Sequence, residues 1–516
     1  MCSISGILIP DTLEGADRSA LRDLFQRTVC NAEDRGRDSH GYYYVSDTVS
    51  GPLLRAMGPP TYRDLDAWMP DSTRQIINNN RAEPTTEWVP EKDEDDIQPF
   101  SSYPWIVAHN GTIANDKELA EELSLEDLST TIDTKVVAEL LARRLPSYNA
   151  PHGSMVREAL SQLKGSFAFS LTNVDYPNEV FLAVNYKPLH IAVNQRTGVV
   201  MWSSLPEYIE RAVGIYSLPQ RLQSEWRIER LPANTIAHIR HLRGLSQPDI
   251  RLWTLFDTPT PKRALVICSG GLDSTTVAAD YRAQGLEVDL LHFRYGARAE
   301  DSEVTAIERI ASRLGASVRY IDVPAFVTDI GHSPLTGTGD LVTARGGEMS
   351  AEYAHEWVPA RNTVFLALGV AMAEAWEYDI VALGSNLEES GAFPDNEVML
   401  TRLFDDMIPW VVNVGKTVRV RAPLANQMKH EIVARALEIE RYTGIRFLDI
   451  THSCYEKGQP CGTCGPDYMR MKAFKMNGVQ DPIEYKIQAT EGFWEGIPTW
   501  EEYHNREREG EVQAGV

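Results

Sequence analysis

Up to about residue 240, the hydrophobic positions come in short runs rather than in long helical stripes. These runs are rich in β-branched and aromatic residues and are bounded by Gly, Asn and Pro, which is typical of strands. They read "SISGILIP", "SFAFSLTNV", "NEVFLAVN", "GVVMWSS" and "ANTIAHIRHL". The pattern predicts a mainly antiparallel, layered domain.

After residue 262 the pattern changes to an alternation of buried strands and helices. The strands read "RALVICS", "LEVDLLHF" and "SVRYIDV", and the helices between them read "DSTTVAADYRAQG" and "EDSEVTAIERIASRLG", each closed by a glycine. Alternation at this length requires parallel strands with right-handed crossovers. We therefore predict a doubly wound sheet, whose ligands would bind at the carboxyl ends of its strands.

A proline-containing segment separates the two patterns. The stretch "RGLSQPDIRLWTLFDTPTPKR" carries three prolines and no sustained period, which is typical of a linker. At 516 residues the chain is also longer than one hydrophobic core usually organises. We predict an α/β protein with domains at 2–240 and 263–500, a linker at 241–262 and an acidic tail at 501–516.

Composition narrows the classes of function. A net charge of −23 without a local run of Lys and Arg disfavours bulk nucleic acid as a partner. The longest apolar run, "TVFLALGVAMAEAW", is too short to span a bilayer. Six cysteines, half of them in one cluster, indicate metal or catalytic thiols in a reducing compartment rather than disulfides. We predict a soluble, cytoplasmic protein, and the sequence leaves the oligomeric state open, a homodimer included.

The amino-terminal half contains one set of candidate catalytic residues. Cys2 directly follows Met1, and removal of Met1 would leave one residue with both a thiol nucleophile and a free α-amine as base. Four further segments follow in order, "RGRDSHG", "NNRAEPTT", "HNGTIAN" and "TIDTKVVAELL". Together with Cys2 they resemble the class II glutamine amidotransferases, an N-terminal-nucleophile hydrolase family with an αββα layered fold.

This resemblance implies roles for single residues. Asn110 and Gly111 would donate hydrogen bonds to the oxyanion of the tetrahedral intermediate. Arg81 would bind the α-carboxylate of glutamine, and Asp133 would bind its α-ammonium group. Ser3 stands where the family usually has Gly, which departs from the family's local backbone pattern. The sequence also allows a domain that keeps the fold but has a silent glutaminase, because a retained Met1 would block the α-amine of Cys2.

A second set of candidate residues lies in the carboxyl-terminal half. The stretch "SGGLDST", residues 269–275, falls at a predicted strand-to-helix junction, where backbone N–H groups and the helix dipole favour a phosphate. It lacks the Gly-Lys-Ser/Thr ending of the Walker sequence. It resembles the loop of the ATP pyrophosphatases, which holds the β- and γ-phosphates while the α-phosphate is attacked, leaving an adenylated substrate.

Five further segments extend the resemblance to the 7-cyano-7-deazaguanine synthases, over roughly residues 263–483. In family order they read "FRYGARAEDSE", "VPARNTVFLALG", "GSNLEESGAFPD", "APLANQMKHEIV" and "SCYEKGQPCGTCGPDYMRMKAF". The resemblance implies that pyrophosphate and Mg²⁺ are held by the loop residues Ser269, Gly270, Gly271, Asp273 and Ser274.

Other positions of these segments would contact the substrates. Arg361 would contact ATP or the activated substrate, and Lys429 would neutralise charge on the leaving pyrophosphate. Glu389 or Asp395 would accept hydrogen bonds from the amino-pyrimidinone edge of a deazaguanine. Phe393 would stack on the base, or else fill the core.

Three cysteines near the carboxyl terminus have the spacing of a metal knuckle. In the resembled family, four cysteines hold a structural zinc ion beside the active site, and Cys454, Cys461 and Cys464 match three of them. Asp467 falls at the fourth position, and His452 is a rival ligand because imidazole is a common partner of thiolates. The alternative is a decayed knuckle without metal. The implied cofactors are therefore ATP, Mg²⁺ and Zn²⁺.

Taken together, the resemblances imply an ATP-dependent carbon-nitrogen ligase with a glutamine amidotransferase domain. Cys2 would release ammonia from glutamine, a channel would deliver it, and AMP-forming activation would allow amidation of a 7-deazaguanine carboxyl, amide or nitrile group. Three alternatives stay open: conjugation of a deazaguanine to a protein in antiviral defence, with the first domain as a docking module; archaeosine formation on tRNA or phage DNA; and an asparagine synthetase-like reaction. A purely structural role is least favoured, because two catalytic constellations would both have to be vestigial.

Overall fold

The computed structural model describes residues 2–13, 15–66, 70, 72–82, 94–125, 132–146, 151–214, 219, 222, 225–243, 245–257, 259–330, 333, 335–336, 356–390, 393–413 and 418–487. The predicted acidic tail at 501–516 lies outside these residues. The chain divides into two compact units, Met1–Thr258 and Pro259–Val516. Within the described ranges, no helix combines the length and the apolar content that crossing a membrane requires.

The first unit contains thirteen strands and five helices in its described part. The strands are β1 (Ser3–Leu8), β2 (Ser39–Ser46), β3 (Ser50–Met57), β4 (Thr73–Arg81), β5 (Phe100–Ser102), β6 (Trp105–Ile113), β7 (Gly165–Asn173), β8 (Glu179–Asn185), β9 (His190–Asn194), β10 (Val200–Ser203), β11 (Trp226–Arg230), β12 (Thr235–Arg240) and β13 (Asp249–Thr254). The helices are α1 (Ala16–Asn31), α2 (Asp116–Glu122), α3 (Asp133–Arg144), α4 (Gly153–Leu160) and α5 (Pro206–Val213).

These strands form two antiparallel sheets, in the orders β11-β9-β10-β1-β4-β2-β3 and β13-β12-β8-β7-β6-β5. Alternate residues of β1 show how the layers form: Ile4 and Leu8 pack between the two sheets, while Ile7 packs against the helices on the other face. The core between the first sheet and helices α1 and α5 includes Leu21, Phe25, Ile76, Met201 and Ile209. The core between the second sheet and helices α3 and α4 includes Trp105, Val137, Leu141, Val156 and Phe167. The layer order is therefore αββα, and the prediction is confirmed.

Part of the segment 241–262, which we predicted as a linker, is a strand. β13 pairs with β12 along its whole length, from Thr235 opposite Thr254 to Arg240 opposite Asp249. It is the edge strand of the second sheet, so all six of its residues are exposed or only half-buried. A strand with one free edge and little buried surface leaves only a weak hydrophobic pattern, and the nearby prolines hid it.

The described residues of the second unit form one parallel sheet. Its strands are β14 (Arg263–Ile267), β15 (Glu287–Arg294), β16 (Val318–Asp322), β17 (Ile380–Ala382) and β18 (Arg419–Arg421), in the order β16-β15-β14-β17-β18. All four pairings are parallel. The helices are α6 (Leu272–Ala283), α7 (Glu300–Leu314), α8 (Ala325–Thr328), α9 (Arg361–Trp376), α10 (Leu387–Ser390), α11 (Val398–Val411), α12 (Lys429–Thr443) and α13 (Gly465–Met476).

Helices cover both faces of this sheet. One core includes residues of α6, α7 and α12, among them Val277, Ile307 and Val433, and the other includes residues of α9 and α11, among them Phe365 and Phe404. Gly315 ends α7 in the left-handed region, at φ 65°, where a residue with a Cβ would be strained. The predicted doubly wound sheet is confirmed. The strand order reverses between β14 and β17, and this position is where ligands of such sheets bind.

Candidate functional site

Strand pairing places Cys2 beside the end of β4. Cys2 comes directly before β1, whose first residue, Ser3, lies opposite Asn80. The Cys2 Sγ atom therefore faces the Ala82 carbonyl, 3.8 Å away, and the Arg35 side chain donates to the Cys2 carbonyl at 3.4 Å. Arg81 is the last residue of β4 and donates to the Asp96 carbonyl at 3.1 Å. The structure thus places Cys2 and Arg81, two of the predicted residues, at the same end of the first sheet.

Asn110 and Gly111 lie on β6 of the second sheet, at the point where the two sheets are joined. The Asn79 side chain of β4 donates to the His109 carbonyl at 2.9 Å, which fixes β6 beside the end of β4. Asn110 is buried, yet its Nδ2 atom has no hydrogen-bond acceptor among the described residues. Because a buried donor without an acceptor is costly, Asn110 is suited to donate to a ligand oxyanion.

Gly111 has a backbone that only glycine adopts readily, with φ 145°. A Cβ atom at this position would lie 2.0 Å from the Ser166 carbonyl oxygen of β7. The glycine is therefore required for β6 and β7 to pair next to Asn110.

Asp133 is the first residue of α3, and its carboxylate lies beside the end of β6, two residues beyond Gly111 on that strand. Its carboxylate accepts from the Ile113 amide at 2.8 Å and from the Thr134 hydroxyl at 3.1 Å, and the His109 ring lies 3.5 Å away. Burial alone would raise the pKa of this carboxyl, but the His109 ring and these hydrogen bonds lower it to about 2. Asp133 is thus held as an anion, as the binding of an ammonium group requires.

The loop after β14 forms the centre of the candidate site in the second unit. Gly271 is the residue before α6, and Gly270 has φ 77°. A Cβ at Gly270 would approach the Glu303 carbonyl to 3.0 Å, so the loop packs closely against α7. Ser269 is exposed and Ser274 is buried in the first turn of α6. The loop therefore presents the amino terminus of α6 to the cavity, as phosphate binding requires.

Three charged residues from distant segments meet beside this loop. The Lys429 ammonium lies 2.5 Å from Asp273 Oδ2 and 3.2 Å from Glu389 Oε1. Asn386 donates to the same Asp273 oxygen at 2.9 Å. Asp273 Oδ1 is buried and has no hydrogen-bond donor among the described residues. The structure therefore brings together three predicted residues and leaves one carboxylate oxygen free for a ligand.

These contacts change the proton affinities of the three groups. Burial alone would lower the pKa of the Lys429 ammonium, but the two carboxylates outweigh it and raise that pKa. Burial raises the pKa of Asp273, against the effect of Lys429, and the nearby Glu389 raises it further. For Glu389, burial alone would raise the pKa, but the Lys429 ammonium, the hydrogen bond from Asn386 and the charge of Arg361 together lower it. The lysine is therefore a permanent cation at the loop.

A cavity of about 210 Å³ extends from the loop along the carboxyl ends of the strands. One wall is charged and contains Asp273, Glu389 and Lys429, and another is apolar and aromatic. Arg361, the first residue of α9, lines the cavity and donates to the Tyr295 hydroxyl at 3.1 Å. The predicted residues that line this cavity are Ser269, Gly271, Asp273, Ser274, Arg361, Glu389 and Lys429.

Two predicted substrate contacts lie elsewhere. Asp395 accepts from the Asn362 amide at 3.0 Å and so holds the first turn of α9. Phe393 stacks on Trp357, with 6.4 Å between the ring centroids. Neither is among the residues that line the cavity. Of the three predicted substrate-binding residues, only Glu389 faces it.

The predicted knuckle residues form one compact cluster. The ligand atoms of Cys454, Cys461, Cys464 and Asp467 all lie within 4.8 Å of one another. The amides of Cys461 and Cys464 donate to cysteine sulfurs at 3.2 and 3.3 Å, which favours thiolates. Asp467 is fully buried, and its Oδ1 atom has no partner in the described part of the chain. This donor set suits a divalent metal ion with tetrahedral geometry.

His452, the rival ligand, lies outside this cluster. Its Nε2 atom is 3.2 Å from the Glu456 carbonyl oxygen, and His452 is among the residues that line the cavity of the second unit. The geometry therefore favours Asp467 as the fourth ligand.

Five residues near the two sites were not singled out from the sequence. Three of them, Asn386, Tyr295 and Glu303, belong to segments that resemble the synthase family, but the resemblance implied no role for these three positions. Tyr455 lines the cavity, and it directly follows Cys454 in the sequence. Its position next to a knuckle cysteine is the sequence feature that could have identified it. Lys187 is close enough to Arg35 and Cys2 for their charges to affect it: burial and Arg35 lower its pKa, and Cys2 raises it. Lys187 lies in a loop after β8 that has no recognisable motif.

Two family sequence models match this chain, one in each of its two compact units. The sequence model described as "Queuosine biosynthesis protein QueC" matches residues 263–478. The model described as "Glutamine amidotransferase domain" matches residues 86–211, a range that includes Asn110, Gly111 and Asp133 but not Cys2 or Arg81.

Similar proteins cover either the whole chain or about half of it. The 7-cyano-7-deazaguanine synthase 2 of Sulfurisphaera tokodaii is 39% identical over 94% of this chain and 100% of its own length. The 7-cyano-7-deazaguanine synthase of Sulfolobus acidocaldarius is 38% identical over 94% of this chain and 100% of its own. The synthase of Methanocaldococcus jannaschii is 34% identical over 43% of this chain and 99% of its own. This chain therefore belongs to the 7-cyano-7-deazaguanine synthase family and is an enzyme of the ATP-dependent ligase type that carries an additional glutamine amidotransferase domain.

Proposed function

We propose that this chain uses ATP to convert the carboxyl group of a 7-deazaguanine into an amide and then into a nitrile, with ammonia from glutamine as the nitrogen source. The names of the relatives support a 7-deazaguanine as the substrate and a nitrile as the product. The glutamine amidotransferase domain supports glutamine as the nitrogen source. The observation that carries the proposal is the position of the Lys429 ammonium beside Asp273, at the loop that follows β14 and resembles a pyrophosphate-binding loop. A buried cation there suits pyrophosphate as a leaving group.

The activation step uses the loop and the charged wall of the cavity. An oxygen of the substrate carboxylate attacks the α-phosphate of ATP, and the bond to the β-phosphate breaks, so that pyrophosphate leaves and an acyl-adenylate remains. The amides at the start of α6 and Lys429 hold the pyrophosphate. Asp273, with its unpartnered Oδ1 atom, would hold Mg²⁺, which neutralises phosphate charge. Glu389 is placed to accept hydrogen bonds from the base.

The nitrogen source is assigned to the first unit. The Cys2 thiolate attacks the side-chain amide of glutamine, while Asn110 Nδ2 and the Gly111 amide donate to the developing oxyanion. Arg81 and Asp133 hold the two charged groups of the amino acid. Ammonia leaves, and water then hydrolyses the thioester. In the second unit, ammonia displaces AMP from the acyl-adenylate. The oxygen of the resulting amide then attacks the α-phosphate of a second ATP and releases pyrophosphate, and loss of AMP and of the two nitrogen-bound protons gives the nitrile.

We also propose that the knuckle holds Zn²⁺. Three cysteine sulfurs and one carboxylate oxygen make a closed site, and zinc accepts both donor types. Ser453 and Tyr455 flank Cys454 and line the cavity, so the ion would hold one wall of the active site in place.

The purified protein should contain about one zinc ion per chain, because the four donors complete one tetrahedral site. Asp467→Ala should lower zinc affinity by at least the roughly 10- to 100-fold that loss of an outer-shell partner costs. His452→Ala is the matched control and should retain the metal. Elemental analysis after competition with a chelator measures the zinc that each variant retains. Zinc loss in His452→Ala but not in Asp467→Ala would reverse the ligand assignment, and no metal in well-folded wild type would indicate a decayed knuckle.

AMP release should depend on the acceptor, since adenylation requires a bound nucleophile. We expect 7-carboxy-7-deazaguanine or its amide to stimulate AMP and pyrophosphate formation from ATP, and aspartate to give no stimulation. Chromatography of AMP over a panel of acceptors, with ammonium chloride supplied, makes the measurement.

Two results of this screen would contradict the proposal. Stimulation by aspartate but not by deazaguanines would replace it with an asparagine synthetase-like reaction. AMP release that appears only when tRNA, DNA or a protein is added would show that the acceptor is a macromolecule rather than the free base.

A further inference from the structure

Three carboxylates line the cavity of the second unit, and they differ in their partners. Asp273 and Glu389 both contact the Lys429 ammonium. Glu303 is the third, and its carboxylate forms no hydrogen bond or ion pair with any other described residue. One carboxylate therefore faces the cavity without being committed to a structural contact.

Glu303 lies in the first turn of α7, the helix that follows β15. Its backbone packs against Gly270 of the loop, so the side chain starts beside the expected position of the phosphates. The groups that face it are Arg361 of α9, Tyr295, Cys268 and, on its own helix, Glu300. Burial raises the pKa of Glu303 to about 7, although Arg361 lowers it; Glu300 raises it further. A carboxyl group in this range both accepts and releases a proton near neutral pH.

The amidation step produces a proton that needs an acceptor. When ammonia adds to the acyl-adenylate, the nitrogen of the tetrahedral intermediate carries a positive charge and must lose a proton before AMP leaves. Asp273 is assigned to Mg²⁺ in the proposed function, and the pKa of Glu389 is lowered in part by its contact with Lys429, so neither carboxylate is the acceptor. His292 also lines the cavity, with a buried and unpartnered Nε2 atom, but burial lowers its pKa and makes it the weaker base.

We propose that Glu303 is the general base of the amidation step, a role that rests on the proposed function of the cavity. The ammonia lone pair forms a bond to the carbonyl carbon, and one N–H proton passes to the Glu303 carboxylate. The carbonyl then re-forms, the bond to the AMP oxygen breaks, and the electron pair leaves on the phosphate of AMP. Glu303 afterwards releases the proton to water, so the products are the amide, AMP and one proton.

Partial reactions separate this role from substrate binding. Acceptor-dependent exchange of labelled pyrophosphate into ATP reports activation and needs no ammonia. Amide formation in a single turnover, at a fixed concentration of unprotonated ammonia, reports the proposed step. Glu303→Gln should retain exchange within about twofold and lose amide formation by roughly 10²- to 10⁴-fold, the usual contribution of a general base. The wild-type amidation rate should rise with pH through about 7, and this rise should be absent in Glu303→Gln.

Two further variants make the test decisive. Glu303→Asp keeps a carboxylate and should recover part of the amidation rate. Glu308→Gln removes an exposed carboxylate from the same helix and should behave as wild type. Equal losses of exchange and amidation in Glu303→Gln would mean that Glu303 binds ATP or its metal, and unchanged amidation would exclude the role. Absence of exchange in the wild type with every deazaguanine would instead refute the proposed function itself.

Discussion

Replacing Cys2 with alanine should abolish glutamine hydrolysis while leaving AMP formation driven by free ammonia unchanged. The thiol is the only nucleophile that we assign to the first unit, and loss of a covalent nucleophile lowers hydrolase rates on the order of 10⁴-fold or more. The second unit has its own cavity and should work with ammonium chloride. Glutamate release and AMP release, measured side by side, give the two readouts.

Cys30→Ala is the matched control for this experiment. Cys30 lies on α1 of the same unit, where Gln26 donates to its sulfur at 3.5 Å, and burial raises the pKa of its thiol to about 11. It should therefore be unreactive, and its variant should hydrolyse glutamine as wild type does. Unchanged glutamate release in Cys2→Ala would show that the nucleophile is assigned wrongly. Loss of ammonia-driven AMP release in the same variant would show that Cys2 supports the second unit in another way.

Asp273→Asn should lower acceptor-dependent AMP formation on the order of 10²- to 10³-fold, the usual cost of removing one electrostatic contact to a reacting group. The carboxylate is the predicted support for Mg²⁺ and pyrophosphate, and an amide cannot replace its charge. The fold should tolerate the change, because the Lys429 ammonium still contacts Glu389 at 3.2 Å. AMP formation should therefore fall, while the calorimetric melting curve should stay close to that of the wild type.

Lys429→Met is the complementary variant, and it should lose both activity and stability. It would leave two carboxylates next to each other, in a place where Lys429 is only 9% exposed, without a cation between them. Breaking such a buried contact costs about 3–5 kcal/mol. Lys472→Met is the control, since Lys472 is half-buried near Glu388 but does not line the cavity. A Lys429→Met protein that melts as wild type does would contradict this account of the charged wall.

Three of the five strands of the parallel sheet, β14, β15 and β16, could be predicted from the sequence nearly to the residue, whereas the three-residue strands β17 and β18 were not singled out. The predicted helix "EDSEVTAIERIASRLG" is α7, Glu300–Leu314, with Gly315 as its cap, and "RALVICS" contains β14, Arg263–Ile267. Strands of a buried parallel sheet are continuous apolar runs, and the helices between them have clear ends, so local pattern and tertiary position agree.

Strand β4 shows why other elements could not be predicted. Its sequence, "TRQIINNNR", contains three consecutive asparagines, which local preference assigns to a turn. In the fold all three are buried and donate to the backbone: Asn78 to the Gly41 carbonyl, Asn79 to the His109 carbonyl and Asn80 to the Val29 carbonyl. These acceptors come from three other parts of the chain, so only the folded structure makes the strand favourable.

The candidate sites show the same division between local motif and long-range contact. The loop residues and the knuckle cysteines could be found from spacing, because each group lies within one short segment. The contact of Lys429 with Asp273 joins residues 156 positions apart, and no spacing rule gives it. Asp395 was expected at the substrate, but a carboxylate beside a helix start also serves the helix, and here it accepts from the Asn362 amide.

The closeness of the proposed zinc site to the cavity has a practical consequence for enzymology. Cys454 is a ligand candidate, and the next residue, Tyr455, is part of the cavity wall. A chain that has not taken up its ion would keep the parallel sheet, whose core is formed by other residues, but would lack an ordered wall. Turnover numbers normalised to protein mass would then vary between preparations with the growth medium. Normalised to moles of bound metal, they should agree.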